Sequence, residues 1–343
     1  MKKFLIDTFH FSIIGLTPIL IILIIYLCLD PFKVIYNYDI FYEKNVNGYT
    51  GLNRGYVSTT NFVNNCKKLN PDYNSFILGN SRSIFYQVSD WKKHLSPKSN
   101  CYHFDAADEG LWALNKKIEL IDNMGLEIKN TLLILDCQTL IQDTTQSGQL
   151  FSITPNLVKN SNLLTFHLVS FKAFLSLKFI YAYMDFKISG KVKPYMTEGY
   201  LLYDIPMSYD IITNELRHDF LEDLINKKQY YDLKRLSVFY ERGLIQKYSP
   251  ISIKENQKAI LSNMQNILKK HNTKIKIVIS PLYNQEKINE IDLSYLKNLF
   301  GAANVSDFSG INKFTNNYEN YYENSHYRPH VAREIMNEIY GNE

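Results

Sequence analysis

The sequence lacks the features that mark several large classes of protein. It contains no Cys-x-x-Cys pair and no cluster of histidines, so it offers no recognisable metal site. Its formal net charge is only +4, and acidic and basic residues are too nearly balanced for a dedicated nucleic-acid binder. It has no internal repeat, no low-complexity tract and no Gly-x-Ser-x-Gly motif, and the last absence argues against an ordinary secreted lipase or peptidase. We therefore expect a globular protein that uses no cofactor and no metal.

The apolar content is sufficient for a large folded core. Hydrophobic residues make up 45% of the 343 positions, enough for one large α/β domain or two small ones. Aromatic residues reach 14%, which suits a surface that faces sugars or a membrane interface. A low-GC genome accounts for the same bias equally well.

The clearest positive signal is an uncharged run from Phe11 to Leu29. As a helix it spans roughly 28 Å at about 1.5 Å per residue, close to the thickness of a bilayer core. Lys2 and Lys3 precede it and favour an N-terminus on the cytoplasmic side. The run is too long for a usual signal peptide, and no A-x-A cleavage site follows. We predict one uncleaved anchor, residues 1–30, in the cytoplasmic (inner) membrane of a bacterium, with the remaining chain periplasmic or otherwise extracytoplasmic.

Beyond the anchor, strand and helix patterns alternate. Residues 31–70 are polar but rich in Tyr and Phe, so we expect them to pack on a domain that spans 71–343. Short apolar runs predict strands at 74–79, 101–106, 130–136, 274–281 and 304–310. Helical periodicity predicts helices at 111–123, 256–271 and 329–340. This alternation predicts an α/β fold with a parallel sheet covered on both faces.

A long insertion, about 140–250, separates the third and fourth predicted strands. It contains a mostly apolar stretch, 162–184, with the length of a second membrane helix. Lys172, Lys178 and His167 argue against a span, because each charge in mid-bilayer costs a few kcal/mol. We therefore favour a packed helix or a membrane-facing lid.

Two of the four cysteines have matching positions. Cys66 and Cys101 each precede a predicted strand, and an extracytoplasmic domain permits a disulfide between them. Because the first two strands are expected to be neighbours, we predict that the two Cα atoms lie within about 7 Å. Two unpaired thiols are an equal alternative.

The segment Gly79-Asn80-Ser81-Arg82 ends the first predicted strand. In an open parallel sheet, ligands bind beyond the carboxyl ends of the strands. Glycine allows a sharp turn there, and Ser81 would begin the next helix, where free N–H groups favour a developing negative charge. Ser81 is thus a candidate nucleophile, although a serine in this position is more often a simple N-cap.

A serine nucleophile needs a base, and the base needs an orienting acid. His326 occurs in YYENSHYRPH, after the fifth predicted strand and just before the last helix. Glu323 precedes it by three residues, a spacing that lets a carboxylate hold the Nδ1 proton and leave Nε2 free. His103, in the second strand, is expected to be a core residue, and His330 is expected to be exposed.

The Gly-Asn-Ser and Glu-Asn-Ser-His segments together resemble the SGNH (GDSL-type) hydrolase superfamily. Its first block is Gly-Asp-Ser and its last is Asp-x-x-His, so Ser81 matches the nucleophile, His326 matches the base and Glu323 stands where the family has Asp. Asn80 replaces the Asp beside the serine. The chain is most similar to membrane-anchored extracytoplasmic members, namely polysaccharide O-acetyltransferases and the teichoic-acid D-alanylation protein. The resemblance covers roughly 72–140 and 255–341, plus the anchor, and implies a flavodoxin-like, doubly wound, five-stranded parallel sheet with a helical insertion between strands 3 and 4.

The resemblance also implies donors to the oxyanion. The family's second block supplies a glycine N–H, for which Gly110 is the candidate. Its third block usually supplies an Asn side chain, but this chain has Leu-Asp-Cys-Gln-Thr-Leu, where Gln138 is the substitute. One absent donor costs on the order of 3 kcal/mol of transition-state stabilisation. Asp136 and Cys137 lie in the same segment, at the end of a predicted strand. We expect them to cap that strand end and pack there, in preference to a role in the site.

The arginines that flank the two catalytic segments have two equal interpretations. Arg82 and Arg328, together with Asn80, would bind an anionic sugar or an acyl carbonyl. Alternatively, the arginines form structural ion pairs with Asp108, Glu109 or Asp307.

Two functions follow. The first is a serine acyltransferase or esterase that O-acylates, or specifically O-acetylates, a cell-surface polysaccharide through an acyl-serine. The family implies a glycan substrate and an integral membrane acyltransferase as the partner that supplies the acyl group; no nucleic acid is expected. The second is a non-catalytic assembly or carbohydrate-binding protein of a polysaccharide export or modification system, which the missing Asn favours.

Overall fold

The computed structural model describes residues 1–43, 48–158, 162–197 and 201–341. The helices are α1 (Lys2–Leu29), α2 (Arg54–Lys68), α3 (Val88–Trp91), α4 (Leu111–Asn123), α5 (Cys137–Ile141), α6 (Leu163–Phe174), α7 (Leu177–Ser189), α8 (Pro194–Thr197), α9 (Asp219–Asn226), α10 (Leu233–Leu236), α11 (Glu255–Lys270), α12 (Glu290–Phe300) and α13 (Pro329–Tyr340). The strands are β1 (Tyr49–Thr50), β2 (Ser75–Gly79), β3 (Cys101–Asp105), β4 (Asn130–Leu135), β5 (Leu202–Tyr203), β6 (Ser208–Tyr209), β7 (Leu216–Arg217), β8 (Lys247–Tyr248), β9 (Lys274–Ile279), β10 (Glu286–Lys287), β11 (Val305–Asp307), β12 (Tyr321–Glu323) and β13 (His326–Tyr327).

Five strands form one parallel sheet, in the spatial order β3-β2-β4-β9-β11. Numbered along the chain within this sheet, the order is 2-1-3-4-5, the order of flavodoxin-like folds. Each strand lies within its predicted run, so the α/β class and the five-stranded parallel sheet are confirmed. The strand order reverses between β2 and β4, and the carboxyl edge at that point is where such sheets bind ligands.

Both faces of the sheet are covered. On one face Phe76, Leu133 and Ile277 belong to a buried core that also contains Leu114 of α4 and Leu261 of α11. The alternate residues of the same strands, which point to the other face, are equally buried. They include Ile77, Leu132 and Val278. The near-continuous apolar strands are typical of a parallel sheet buried on both sides.

The chain divides into two compact units. The anchor unit combines residues 1–52 with 162–205, and the α/β unit combines 53–161 with 206–343. These bounds differ from the expected ones, because 31–52 group with the anchor and the insertion is shared between the units. Most of the remaining part of 31–70 forms α2, which packs on β3 through Phe62. The Phe62 ring centroid lies 5.1 Å from that of Tyr102 and 4.7 Å from that of Phe104.

α1 is long and apolar enough to cross a membrane. Its segment Ile6–Leu29 has a mean hydropathy of 2.7 over its most apolar window, and a signal sequence would have the same character. The apolar stretch of the insertion forms two helices, α6 and α7, bent by 75° at a short break. Neither α6 nor α7 reaches the length of a span alone.

Cys66 and Cys101 are both free thiols, which is the unpaired alternative, and their predicted approach within about 7 Å stays a prediction. Cys66 lies inside α2 and not directly ahead of a strand, whereas Cys101 opens β3. Burial raises the pKa of Cys66 to about 11 and that of Cys101 to about 12, so both are protonated at neutral pH.

Candidate active site

Ser81 follows the carboxyl end of β2 and begins a short 3-10 turn, Ser81–Phe85. The turn depends on Gly79, where an added Cβ would come within 2.8 Å of the Ser83 Cβ and 3.0 Å of the Ile134 carbonyl oxygen. Asn80 caps the turn by accepting the Arg82 N–H at 3.0 Å. Ser81 is only half-buried, so its hydroxyl is reachable from solvent.

His326 and Glu323 lie opposite each other on a hairpin. β12 and β13 pair antiparallel with Glu323 directly across from His326, and Asn324 and Ser325 form the two-residue connection. Cross-strand partners of this kind have Cβ atoms about 5 Å apart, which explains why the three-residue spacing brings carboxylate and imidazole together. The Glu323 Oε1 atom accepts a hydrogen bond from His326 Nδ1.

The three side chains form one hydrogen-bonded chain. Since the Glu323 carboxylate can only accept, His326 Nδ1 carries the proton and Nε2 is left as an acceptor. The Ser81 hydroxyl donates to Nε2 at 2.8 Å, across 245 residues of sequence. The predicted proximity is therefore confirmed, whereas the catalytic role of these residues stays a prediction.

Glu323 is ionised at neutral pH. Burial raises its pKa, but the hydrogen bonds and charge of His326 and the Ser325 N–H outweigh burial and leave the pKa below its ordinary value. The Ser325 N–H donates to Oε2 at 2.7 Å and so fixes the carboxylate within the hairpin. About a third of the His326 side chain, 32%, is exposed, which leaves an approach for a large substrate.

Asp136 connects the loops that follow β2 and β4. It caps α5 by accepting the Thr139 N–H at 2.9 Å, as the sequence suggested. Its second oxygen accepts from Asn80 Nδ2 at 2.8 Å and from Arg82 Nη1 at 2.7 Å. Asn80 also donates to the Thr139 hydroxyl at 3.0 Å and is 1% exposed, so the described contacts give it a structural role, and its binding of substrate stays a prediction.

Arg82 also contacts the hairpin that carries His326. Its Nε donates to the Ser325 carbonyl at 3.1 Å and its Nη2 to Gln138 Oε1 at 3.2 Å. One guanidinium thus ties together the segment of Ser81, the segment of Asp136 and the hairpin of His326. Gln138 lies at this edge of the sheet, and its role as an oxyanion donor stays a prediction.

Arg328 is held by the insertion. Its Nε and Nη2 donate to the two oxygens of Glu222, in α9, at 3.0 and 2.8 Å. The Tyr322 hydroxyl also donates to Glu222, at 2.6 Å. Both arginines therefore form structural ion pairs, and the partners named from the sequence are wrong. Asp108 accepts from Gln142 and Gln146, Glu109 pairs with Lys117, and Asp307 pairs with Lys287.

Gly110 is the N-cap residue of α4 and lines a cavity that does not include Ser81 or His326. An added Cβ there would come within 2.3 Å of the Gln142 Cβ, which explains the glycine by close packing. The lining of the adjoining cavity includes Asp108, Lys117 and Thr154 but not Ser81 or His326. The oxyanion role of Gly110 has no contact in its favour among the described residues and stays a prediction.

Sequence reasoning missed a group of rings beside His326. The Phe85 ring centroid lies 5.7 Å from that of His326 and 5.9 Å from that of His218. Burial, and the nearby His326, lower the pKa of His218 to about 4, so this second imidazole is neutral. His218 lies in the insertion, more than a hundred residues from either catalytic segment, and no motif marks it.

His103 is a core residue, as expected, and contacts the 3-10 turn Ser81–Phe85. It is 1% exposed, and its Nε2 lies 3.1 Å from the Ser83 hydroxyl, which itself donates to the Asn80 carbonyl. Nε2 therefore donates to Ser83. Burial lowers the pKa of His103 from 6.5 to about 4.

This pKa predicts a loss of stability in mild acid. Between pH 6.5 and about 4 the unfolded chain binds a proton at position 103 that the folded chain does not, so the free energy of unfolding falls as pH falls. The full effect is about 3 kcal/mol. We expect His103→Gln, which keeps a donor for Ser83, to flatten the dependence of urea midpoint on pH in this window. An unchanged slope would contradict the assignment.

Comparison of the sequence with protein-family models gave no match, and comparison with curated proteins gave none either.

Proposed function

We propose that this protein is an SGNH-type serine acyltransferase or esterase that acts on a cell-surface polysaccharide. The observation that carries the proposal is the Ser81–His326–Glu323 chain of hydrogen bonds at the carboxyl edge of a 2-1-3-4-5 parallel sheet. An orienting acid, a base with a free Nε2 and a reachable hydroxyl are the parts that nucleophilic acyl transfer requires.

The chemistry proceeds in two steps. The Ser81 oxygen attacks the acyl carbonyl while its proton passes to His326 Nε2, and the acyl–oxygen bond of the donor breaks as that proton moves to the leaving group. An acyl-serine remains. A glycan hydroxyl, or water, then loses its proton to Nε2 and takes the acyl group, and the proton returns to Ser81. Glu323 stabilises the imidazolium in both steps.

The developing oxyanion needs donors near Ser81. The Ser81 N–H lies in the first turn of its 3-10 segment and has no acceptor within the described part of the chain. It is the best-supported donor, and Gly110 and Gln138 are the further candidates. Because Ser81 and His326 are partly exposed, the site suits a group carried on a polymer.

The membrane placement belongs to the same proposal. Lys2 and Lys3, at the start of α1, favour a cytoplasmic N-terminus and an extracytoplasmic α/β unit, close to surface glycans. The expected donor partner is an integral membrane acyltransferase. A C-terminal reporter that is active only in the cytoplasm should be silent, and a strong signal would contradict this orientation.

A fluorophosphonate probe tests the proposal directly. It should modify the full-length protein at Ser81 alone, and Ser81→Ala should abolish the label while Ser83→Ala, at the neighbouring buried hydroxyl, keeps it.

If the wild-type protein is not labelled, the alternative takes precedence: a non-catalytic assembly or carbohydrate-binding protein that keeps the fold. The engagement of Gln138 Oε1 by Arg82, in place of a free Asn, is the observation that favours that alternative.

Glu323→Gln should lower the turnover rate by about 10²–10⁴-fold, less than loss of the nucleophile. The amide keeps the shape of the side chain, but it no longer forces the proton onto Nδ1 or stabilises the imidazolium. Initial rates of ester hydrolysis measure this loss. Glu319→Gln, four residues earlier, is the control and should be close to wild type. Equal rates for Glu323→Gln and wild type would remove Glu323 from the mechanism.

A further inference from the structure

We infer that the bent pair α6–α7 lies in the bilayer interface at the C-terminal end of α1 and binds lipid there. It would neither cross the membrane nor serve as a docking face for another protein. The inference rests on the membrane placement of α1 proposed above, but it does not depend on acyl transfer.

The bent pair meets α1 at one level only. The Tyr26 ring centroid lies 5.2 Å from those of Phe171 and Phe174 in α6, and the Phe32 centroid lies 5.0 Å from that of Phe179 in α7. Tyr26 precedes the end of α1 by three residues, or about 4.5 Å along the axis. Phe32 follows the helix. If α1 spans the bilayer, both helices therefore adjoin it where it leaves the hydrocarbon core.

The lengths of the two helices favour an interfacial position. With 12 and 13 residues, α6 and α7 are roughly 18 and 20 Å long at about 1.5 Å per residue, against a hydrocarbon core of about 30 Å. The 75° bend prevents them from acting as one straight span. Lys172 and Lys178, on either side of the bend, are exposed and would carry charge into the core of a spanning pair.

The exposed surface of the bent pair is apolar. Leu164 is 66% exposed, Leu177 is 83% exposed and Ile188 is 82% exposed. Apolar side chains as exposed as these would be costly to leave in water, and they suit burial at the headgroup boundary. Five lysines against one aspartate within 163–193 suit anionic headgroups, with the long side chains reaching to the polar layer.

Depth-dependent quenching tests this position in the full-length protein. Leu177→Trp and, independently, Leu168→Trp are reconstituted into vesicles of phosphatidylglycerol and phosphatidylethanolamine in equal amounts. Lipids brominated near the headgroup or deep in the acyl chain then quench the added emission, measured against the parent protein. Leu20→Trp, on the exposed middle of α1, is the reference for a deep position, and Ile291→Trp, 61% exposed on α12, is the reference for a helix of the α/β unit.

We expect the tryptophans at 168 and 177 to lose most of their emission with the shallow bromines and much less with the deep ones, with the opposite order at position 20. Deep quenching at 168 and 177, or no more quenching than in the parent, overturns the inference. Absence of deep quenching at position 20 would overturn the membrane placement of α1 itself. Fluorophosphonate labelling of the same samples reports separately on the proposed function, so the two failures are distinguishable.

Discussion

Ser81→Ala is expected to reduce acyl transfer and ester hydrolysis by about a million-fold, and His326→Ala by a similar factor. Ser81 supplies the bond-forming oxygen and His326 Nε2 takes its proton at 2.8 Å, so either change removes the same reaction path. The double variant should therefore be no worse than either single one, because residues that act as a unit are not additive.

The measurement is the rate of p-nitrophenyl acetate hydrolysis, together with acyl modification of the polysaccharide in cells. His330→Ala, four residues from His326 and hydrogen-bonded to Asn320, is the matched control and should keep most of the activity. Urea unfolding shows whether each variant is folded. Full activity in Ser81→Ala would make the enzyme interpretation wrong.

Asp136→Ala is expected to lower the free energy of unfolding by about 3–5 kcal/mol, because it leaves a largely buried guanidinium without its counter-ion. The Asp136 side chain is 2% exposed and that of Arg82 is 12% exposed. The change also removes an acceptor from Asn80 and the cap of α5. Since Arg82 also holds the Ser325 carbonyl, the catalytic rate should fall as the hairpin of His326 loosens.

Asp136→Asn, which keeps the shape and one acceptor, should cost less than Asp136→Ala. The exposed pair Glu255–Lys258 provides the comparison, since Glu255→Ala should change the urea midpoint little. If Asp136→Ala were as stable as Glu255→Ala, Asp136 would not connect these loops in the way described.

The sequence predicted the sheet and the three linked side chains for physical reasons. Continuous apolar runs identify strands that are buried on both faces, and the carboxyl ends of such strands must share an edge. Ser81 and His326 follow two of those ends, so a parallel sheet brings them together. Glu323 was identifiable because a spacing of three residues spans a tight turn, which the structure realises as a hairpin.

Other features depend on contacts that no local pattern encodes. Glu222 and His218 lie in the insertion, and only tertiary packing brings them to Arg328 and Phe85. The two interpretations of Arg82 were equal because a guanidinium binds a structural or a substrate carboxylate with the same geometry. The position of Cys66 was not predicted either: it lies inside α2 and not directly ahead of a strand, because the polar residues around it hid the helical pattern.

Trapping of the acyl-enzyme tests the central claim most directly. The full-length protein is mixed with p-nitrophenyl acetate, quenched in acid and digested, and the peptides are analysed by mass spectrometry. The account predicts a burst of one p-nitrophenol per protein molecule and an acetyl group on Ser81, with neither in Ser81→Ala. No burst, or an acetyl group on another residue in place of Ser81, would contradict it.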